Sequence, residues 1–149
     1  MITPTILNSI EKSVLCWLAT ADDQGFPNVS PKEIFVPWNN QHLLIANIAS
    51  PQSAKNIRAN AKVCVSFIDI LVQKGFQLKG TAQIVTEAEK QFPILAVPLL
   101  KMTGGKFPFQ ELFYIEVEKV KPIIAPRYWM YPETTEEEQI ASARKVYSI

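Results

Sequence analysis

Two apolar runs joined by a short polar segment constrain the fold of this chain more than any other feature. Residues 43–46 with Ile48 form the first run and residues 63–68 form the second, and both have the composition of buried strands. The segment between them, SPQSAKNIRAN, is polar and long enough for about two helical turns. We therefore predict a strand, a short helix and a second strand between His42 and Asp69.

The start of this helix has the residues of an anion site. Ser50 is a predicted N-cap, and Pro51 suits the first helical position because its missing N–H needs no partner there. Gln52 and Ser53 fill the first turn and Lys55 follows in the second. Free backbone N–H groups, the positive end of the helix dipole and the Lys55 ammonium should attract a phosphate. The alternative interpretation is an ordinary capped helix.

Two further positions bear on this region. Asn60 is expected to adopt the left-handed conformation that often ends a helix. Upstream, residues 25–36 read GFPNVSPKEIFV, a strand pattern interrupted by Pro31 and Lys32. Proline in a strand belongs at an edge or a bulge, where the backbone is free for another molecule to approach. We expect a planar ligand to use that space.

The two segments together resemble the pyridoxamine 5'-phosphate oxidase-related, FMN-binding split-barrel family. The similarity lies in a Gly-x-Pro turn, a Ser-Pro-Lys-like strand and a polar helix ending in Asn-Ile-Arg-x-Asn before a strand, in matching order and spacing. It covers about residues 10–120, and the tail YWMYPETTEEEQIASARKVY is similar to tails of some small bacterial members. The resemblance implies a mainly β fold, a barrel of about six antiparallel strands with flanking helices. It also implies a homodimer with FMN at the subunit interface.

Carried over by position, the resemblance places residues 29–32 along the flavin ring, with Lys32 near its pyrimidine side. A solvated strand lysine is the alternative for Lys32. Relatives often have basic residues where Gln52 and Ser53 stand, which leaves Lys55 as the main cation for the phosphate. The complete set of implied cofactor-binding residues is Val29, Ser30, Pro31, Lys32, Asn47, Ser50, Gln52, Ser53, Lys55, Asn56 and Trp129.

The C-terminal residues 121–149 are predicted to form an arm and a helix on a single domain of residues 1–149. Prolines space Tyr128, Trp129 and Tyr131 along an extended arm, and the helix should begin near Thr135 with a capping box. These rings must be buried on their own barrel or on a second subunit. Trp129 would accordingly cover the flavin of a neighbouring copy or pack against its own barrel wall.

The remaining predicted elements begin with an amphipathic helix over 5–13 and a strand over 14–19 in a hairpin with 27–36. A bent strand is predicted over 72–85, with Gly75 and Gly80 at its bends, and a further strand over 111–120. Between these two strands we predict a helix that is capped by Thr86 and begins at Glu87, and that Pro93 and Pro98 kink or break into pieces.

Composition and motifs exclude several classes of function. Fifteen basic residues against fourteen acidic ones, without a basic stripe, argue against nucleic-acid binding. Neither a secretory signal nor an apolar stretch of membrane-spanning length is present, which predicts a cytoplasmic protein without membrane contact. Cys16 and Cys64 are expected to be buried thiols rather than metal ligands. The single histidine, His42, is expected at the rim, so no nucleophile-and-base pair supports hydrolysis.

The sequence is compatible with three functions. The first is an FMN-dependent oxidoreductase acting on a small organic substrate through flavin N5, with NAD(P)H as a candidate reductant and no metal. The second is a non-catalytic carrier or sensor that binds flavin, haem or deazaflavin on the same fold. The third is a split barrel with an empty site that serves as an interaction domain. No catalytic side chain is identifiable from the sequence.

Overall fold

The computed structural model describes all 149 residues and contains seven strands and five helices. The strands are β1 (Cys16–Ala21), β2 (Pro27–Lys32), β3 (Phe35–Pro37), β4 (His42–Ala46), β5 (Lys62–Asp69), β6 (Lys74–Thr86) and β7 (Glu111–Ile124). The helices are α1 (Pro4–Lys12), α2 (Pro51–Ala59), α3 (Phe92–Thr103), α4 (Arg127–Met130) and α5 (Glu136–Tyr147). None of these helices has the length and apolar character needed to cross a membrane.

All seven strands form one antiparallel sheet in the order β2-β1-β5-β6-β7-β4-β3. The two edge strands, β2 and β3, are consecutive in the chain and are joined only by Glu33 and Ile34. A flat sheet of this kind would be about 29 Å wide, whereas the link can span only about 10 Å. The sheet must therefore curl until its edges nearly meet, which makes it a split barrel, as predicted.

The strand count differs from the expectation at this same link. The strand predicted over 27–36 is divided into β2 and β3, so the sheet has seven strands rather than about six. Pro31 lies in β2, which pairs only with β1, and it therefore needs no ladder partner on its outer side. The predicted position of this proline at a sheet edge is confirmed.

The core consists of two clusters of buried side chains. The larger one fills the barrel interior and includes Ile6 and Ile10 from α1, while the smaller one lies between α3 and the sheet. Cys16 belongs to the larger cluster and is fully buried, as expected. Cys64 is only half-buried because it alternates with inward-facing Val63 and Val65 on β5 and so lies on the outer face.

The polar helix α2 begins at Pro51 and Ser50 holds its N-cap position, both as predicted, but the left-handed conformation predicted for Asn60 is wrong. The Ser50 side chain makes no capping hydrogen bond, because its hydroxyl is bonded elsewhere. Asn60 is extended, with φ −147°, because the chain enters β5 almost at once and the Asn60 amide oxygen accepts from the Lys62 backbone N–H. The left-handed residue is Ala49 instead, with φ 52°, in the turn before the helix.

The segment after β6 also differs from the prediction. Thr86 is the last residue of β6, and its backbone N–H donates to the Glu89 carboxylate, so it caps no helix. The helix begins at Phe92, where Pro93 falls in the first turn and needs no N–H partner. Pro98 lies within the helix, which continues to Thr103 instead of breaking.

The C-terminal arm is less extended than predicted. Strand β7 continues through Ile124, and residues 127–130 form the helical turn α4. The expected capping box is confirmed at Thr135, whose hydroxyl accepts from the Glu138 N–H while the Glu138 carboxylate accepts from the Thr135 N–H.

The bend of β6 at Gly80 leads to a first prediction. A Cβ at Gly80 would overlap the Glu116 backbone carbonyl of β7, at the register shift between these two long strands. We expect Gly80→Ala to lower the free energy of unfolding by about 2 kcal/mol or more, because backbone on both strands must move. Urea denaturation measures this change. In the control, Gly104→Ala meets no atom and carries only left-handed strain of about 1 kcal/mol, so equal losses in the two variants would contradict the packing argument.

Candidate cofactor site

Four polar side chains from β2 and the start of α2 meet at one point, which we call the Lys32 cluster (Ser30, Lys32, Ser50 and Ser53). The Lys32 ammonium donates to the Ser30 hydroxyl at 2.7 Å and to the Ser50 hydroxyl at 2.6 Å. The Ser30 and Ser53 hydroxyl oxygens are 3.2 Å apart. Ser30 and Lys32 are two residues apart on one strand, so their side chains lie on the same face of β2. The cluster joins this sheet edge to the helix.

The Lys32 ammonium is a buried cation without an anionic partner. Lys32 is only 6% exposed, and no carboxylate lies within ion-pair distance of it. Burial lowers its pKa below the ordinary value of 10.5. Cys16 stands opposite in the β1–β2 register, but burial raises the pKa of its thiol to about 12, so it supplies no negative charge at neutral pH. The cluster thus has the charge of a site for an anion.

The N-terminus of α2 adds unpaired donors at the same point. The backbone N–H groups of Gln52 and Ser53 donate no hydrogen bond within the chain, because Ser50 turns its hydroxyl toward Lys32. Both groups lie at the positive end of the helix dipole. Two amides, three hydroxyls and one ammonium together match the acceptor oxygens of a phosphate group. The residues present therefore fit the phosphate of FMN.

A second network fixes the orientation of α2 on the barrel. The buried Asn56 side chain donates to the Thr20 hydroxyl of β1 at 3.0 Å and accepts from the Gln52 side-chain amide at 2.7 Å. Sequence reasoning named Gln52 and Asn56 but missed Thr20. The alternation of β1 places Thr20 on its inward face, and this is the signal that could have identified it.

A third network holds the turn that precedes α2. The Asn47 amide nitrogen donates to Glu111 at 2.6 Å, and the Asn47 amide oxygen accepts from the Ser50 N–H at 3.1 Å. Arg58, in the last turn of α2, bonds the other oxygen of the Glu111 carboxylate at 2.9 Å. Glu111 and Arg58 were not predicted, because their contact joins residues 53 positions apart. Asn47 thus holds the turn before α2, and with it Ser50 of the Lys32 cluster, by hydrogen bonds to Glu111 and to the Ser50 N–H.

An apolar cleft of about 310 Å³ lies beside the Lys32 cluster and shares Lys32 with it. Its volume is at the lower end of the range for small-molecule sites. The cleft is lined by Leu15, Pro31, Lys32, Glu33, Ile34, Ala46, Ile48 and Phe107. A planar ring in this cleft would lie along the end of β2 while a phosphate reached the start of α2.

Three predicted site residues lie outside this arrangement. Val29 faces outward from β2, and Lys55 is exposed without an ion-pair or hydrogen-bond partner. Trp129 is 67% exposed, so it does not pack on its own barrel wall. The neighbouring Tyr128 is held instead, by a 2.6 Å hydrogen bond to the Val72 carbonyl and by the Lys74 ammonium 4.3 Å from its ring centre.

His42 lies at the start of β4, away from the cleft. Its ring stacks on Tyr114 at 4.6 Å, and its Nδ1 is 2.9 Å from the Asn39 amide oxygen. The cleft lining contains no histidine.

The family model for pyridoxamine 5'-phosphate oxidase matches residues 2–138, nearly the whole chain. The protein belongs to this family. Among solved structures, HupZ from Group A Streptococcus is 26% identical, with a TM-score of 0.72 over 84% of this chain and 96% of that one. HutZ, the heme storage protein of Vibrio cholerae, is 20% identical, with a TM-score of 0.66 over 83% and 94%.

A third similar structure is an FMN-binding protein from Syntrophomonas wolfei, 15% identical, with a TM-score of 0.65 over 78% of this chain and 82% of that one. The likenesses to HutZ and to this protein establish the fold alone. No curated protein matches the chain significantly. Relatives on this one fold therefore include a protein named for flavin and a protein named for haem.

The burial of Lys32 leads to a prediction about stability. Because its pKa is lowered in the folded state, the unfolded chain binds more protons between that lowered pKa and 10.5. Wild-type stability should therefore rise with pH in this window. We expect Lys32→Met to raise the free energy of unfolding at pH 7 by about 1 kcal/mol, and we expect this advantage to shrink toward pH 10.5. Denaturant titrations across this pH range measure it, and a variant that loses stability at pH 7 would show that the serine contacts outweigh the burial cost.

Proposed function

We propose that this protein is an FMN-binding flavoprotein whose Lys32 cluster holds the cofactor phosphate. The observation that carries the proposal is the buried Lys32 ammonium, which has no carboxylate partner and lies beside the unpaired N–H groups of α2. A buried unpaired cation is costly, and a bound phosphate would offset that cost. In this proposal Lys32, rather than the exposed Lys55, supplies the main positive charge.

The cleft beside the cluster is the proposed place for the flavin ring. Pro31 and Lys32 line the cleft at the edge of β2, and Ile34 and Ile48 add apolar side chains to its lining. When bound, the flavin supplies the hydride and electron chemistry, and the protein supplies position and electrostatics.

Haem is the second candidate, motivated by the likeness to a heme storage protein. The cleft argues for flavin, because its lining contains no histidine, cysteine, methionine or tyrosine that could bind haem iron from this chain. The family resemblance leads us to expect basic residues at positions 52 and 53, where this chain has Gln52 and Ser53. In this proposal Lys32 provides the positive charge for the phosphate instead.

The decisive experiment compares three ligands on the purified protein. We expect FMN to bind more tightly than riboflavin, because only FMN carries the phosphate, and we expect haemin to give no stoichiometric Soret shift. Fluorescence quenching of the flavins and absorbance titration with haemin measure these affinities. Protein that stays colourless after FMN is added and the excess removed rules the proposal out.

Variants of the two lysines test the assignment of the phosphate cation. We expect Lys32→Met to weaken FMN binding by about tenfold to a hundredfold, the worth of a buried charged hydrogen bond, and to leave riboflavin binding nearly unchanged. Lys55→Met is the matched control and should change FMN affinity by less than about threefold, because an exposed charge is screened. The reverse ranking would assign the phosphate to Lys55.

Within this proposal, oxidoreductase activity on a small organic substrate is the first candidate, and a flavin carrier or sensor is the second. The carrier is favoured by a cleft whose only charged side chains are Lys32 and Glu33. Reduced nicotinamide is the test reductant. Bleaching of bound flavin by NAD(P)H, followed by reoxidation with an added acceptor over many cycles, supports the enzyme. Flavin that never cycles supports the carrier.

We further propose a homodimer in which Trp129 of one copy covers the flavin of the other. The exposed Trp129 ring motivates this proposal, since it projects from a turn that Tyr128 anchors to the barrel. Deleting the chain from Pro126 onward should weaken FMN binding and dimerisation together, through mass action.

Because that deletion also removes buried contacts of α5, Trp129→Ala is the sharper variant, with the exposed neighbour Met130→Ala as its control. We expect Trp129→Ala alone to lower FMN affinity, by about tenfold. Sedimentation and flavin titration measure the two effects, and unchanged flavin affinity in Trp129→Ala means that the ring lies away from the site.

A further inference from the structure

Ser50 lies on a strained turn between a buried strand and a helix. Strand β4 ends at Ala46 and α2 begins at Pro51, and Ala49 between them has φ 52°, a left-handed conformation that non-glycine residues rarely adopt. Backbone strain of this kind occurs preferentially at functional sites. The nucleophilic serine of α/β-hydrolases occupies a comparable strained turn from strand to helix. The turn leaves Ser50 half-buried, with its hydroxyl in contact with Lys32.

The Ser50 hydroxyl is thus placed against an amine. The Lys32 Nζ lies 2.6 Å from the Ser50 Oγ, a short hydrogen bond. The Ile48 carbonyl oxygen is the other neighbour of this Oγ, at 3.3 Å. The Ser30 Oγ lies 2.7 Å from the same Nζ and 3.2 Å from the Oγ of the buried Ser53. These contacts hold the amine next to the Ser50 hydroxyl.

The surroundings of Lys32 favour the neutral amine that a general base requires. Burial lowers the pKa of this group, and no carboxylate lies within ion-pair distance to oppose the shift. Its titratable neighbours are Cys16 of β1 and Glu33, which lines the same cleft. The Cys16 thiol is uncharged at neutral pH because its pKa is raised to about 12. Strand β2 and the turn before α2 present hydroxyl groups to the amine.

Two backbone N–H groups beside Ser50 are available to stabilise an oxyanion. The N–H groups of Gln52 and Ser53 donate no hydrogen bond within the chain, and Pro51 has no N–H. They are the groups that an N-cap hydroxyl normally accepts from, although Ser50 holds the N-cap position without doing so. An oxygen on a carbon atom bonded to the Ser50 Oγ can take this place. The positive end of the helix dipole adds to the stabilisation of its charge.

We propose that Ser50 and Lys32 form a nucleophile-and-base pair that hydrolyses esters of short, apolar carboxylic acids. Serine–lysine pairs replace the serine–histidine pair in some hydrolases. The cleft of about 310 Å³ is lined by Lys32 and by Ile48, two residues before Ser50, and it receives the acyl chain. No local sequence motif indicates the pair, because its two residues lie 18 positions apart. The activity goes beyond flavin binding and needs no cofactor.

The reaction consists of two acyl transfers. In the first, the Ser50 Oγ forms a bond to the ester carbonyl carbon while the neutral Lys32 amine takes the hydroxyl proton. The bond from this carbon to the alcohol oxygen then breaks, and Lys32 gives the proton to the leaving alcohol. In the second transfer, water attacks the acyl carbon and gives a proton to Lys32. The Ser50 Oγ leaves, recovers that proton and releases the carboxylic acid.

The test uses the full-length protein with no flavin bound and p-nitrophenyl butyrate as the substrate. Absorbance of released p-nitrophenolate measures kcat/KM. We expect Ser50→Ala and Lys32→Met each to lower this value by about a hundredfold or more, because each removes one partner of the pair. Ser142→Ala, at an exposed serine of α5, is the matched control and should keep the wild-type value. A wild type that is no faster than Ser50→Ala overturns the proposal.

A lysine-to-arginine change separates the base from the positive charge. Lys32→Arg keeps the charge that would bind a phosphate, but a guanidinium cannot be deprotonated in a protein. We expect this variant to lose hydrolysis as fully as Lys32→Met does, and retained hydrolysis overturns the role of Lys32 as the base. Wild-type kcat/KM should rise with pH through the lowered pKa of Lys32. Failure of FMN to bind leaves these results unchanged, so the two proposals fail separately.

Covalent trapping identifies the nucleophile without relying on loss of activity. Diisopropyl fluorophosphate should phosphorylate the Ser50 Oγ of the wild type, forming a P–O bond as the P–F bond breaks and fluoride leaves. Mass spectrometry of peptides locates the label, and Lys32→Met should remain unlabelled at Ser50. Far-UV circular dichroism verifies that this variant folds. An unlabelled wild type, or a label that lies only at other residues, overturns the proposal.

Discussion

The two-residue link between β2 and β3 is the constraint on which the rest of the structure depends. These strands are the opposite edges of the sheet, yet only Glu33 and Ile34 connect them. Edges joined so closely force the sheet to curl, and the curl brings the end of β2 against the start of α2. The barrel interior, the cleft and the meeting of Lys32 with Ser50 all follow from this closure.

The buried Lys32 ammonium lowers the stability of the fold and at the same time gives the cluster the charge of an anion site. An ammonium is placed where water is scarce, with serine hydroxyls and no carboxylate to balance it. Proteins tolerate such groups mainly at functional sites, since an apolar side chain would be more stable there. The networks around Asn56 and Asn47 hold α2 and the turn before it in place, so the start of the helix stays beside this cation.

Helices α3 and α4 both carry exposed apolar side chains. A chain of this size cannot bury both faces of every helix, because its surface is large relative to its volume. Ile94, Val97 and Trp129 remain outside the two core clusters. The Lys32 cluster is formed by residues of one chain, whereas these apolar side chains contact no other part of that chain's core.

The sequence by itself determined the local structure of this protein. The apolar runs, the Pro51 helix start and the capping box at Thr135 depend on neighbours within a few residues, and patterns of that range can be read directly. It also identified most of the residues that form the polar site. It missed Asn60, where the following strand overrides the usual helix ending, and the α3 start at Phe92, because Thr86 pairs with distant Glu111.

Only the tertiary structure decided which of those residues meet. Lys32 rather than Lys55 joins the serines because the sheet curls, and Thr20, Arg58 and Glu111 enter the networks through contacts across many residues. Such contacts leave no periodic signal along the chain, since their energy depends on closure of the whole sheet. The burial that leaves Lys32 without an anion is likewise a property of the folded barrel. The sequence therefore determined the local elements, and the closure of the sheet decided the site.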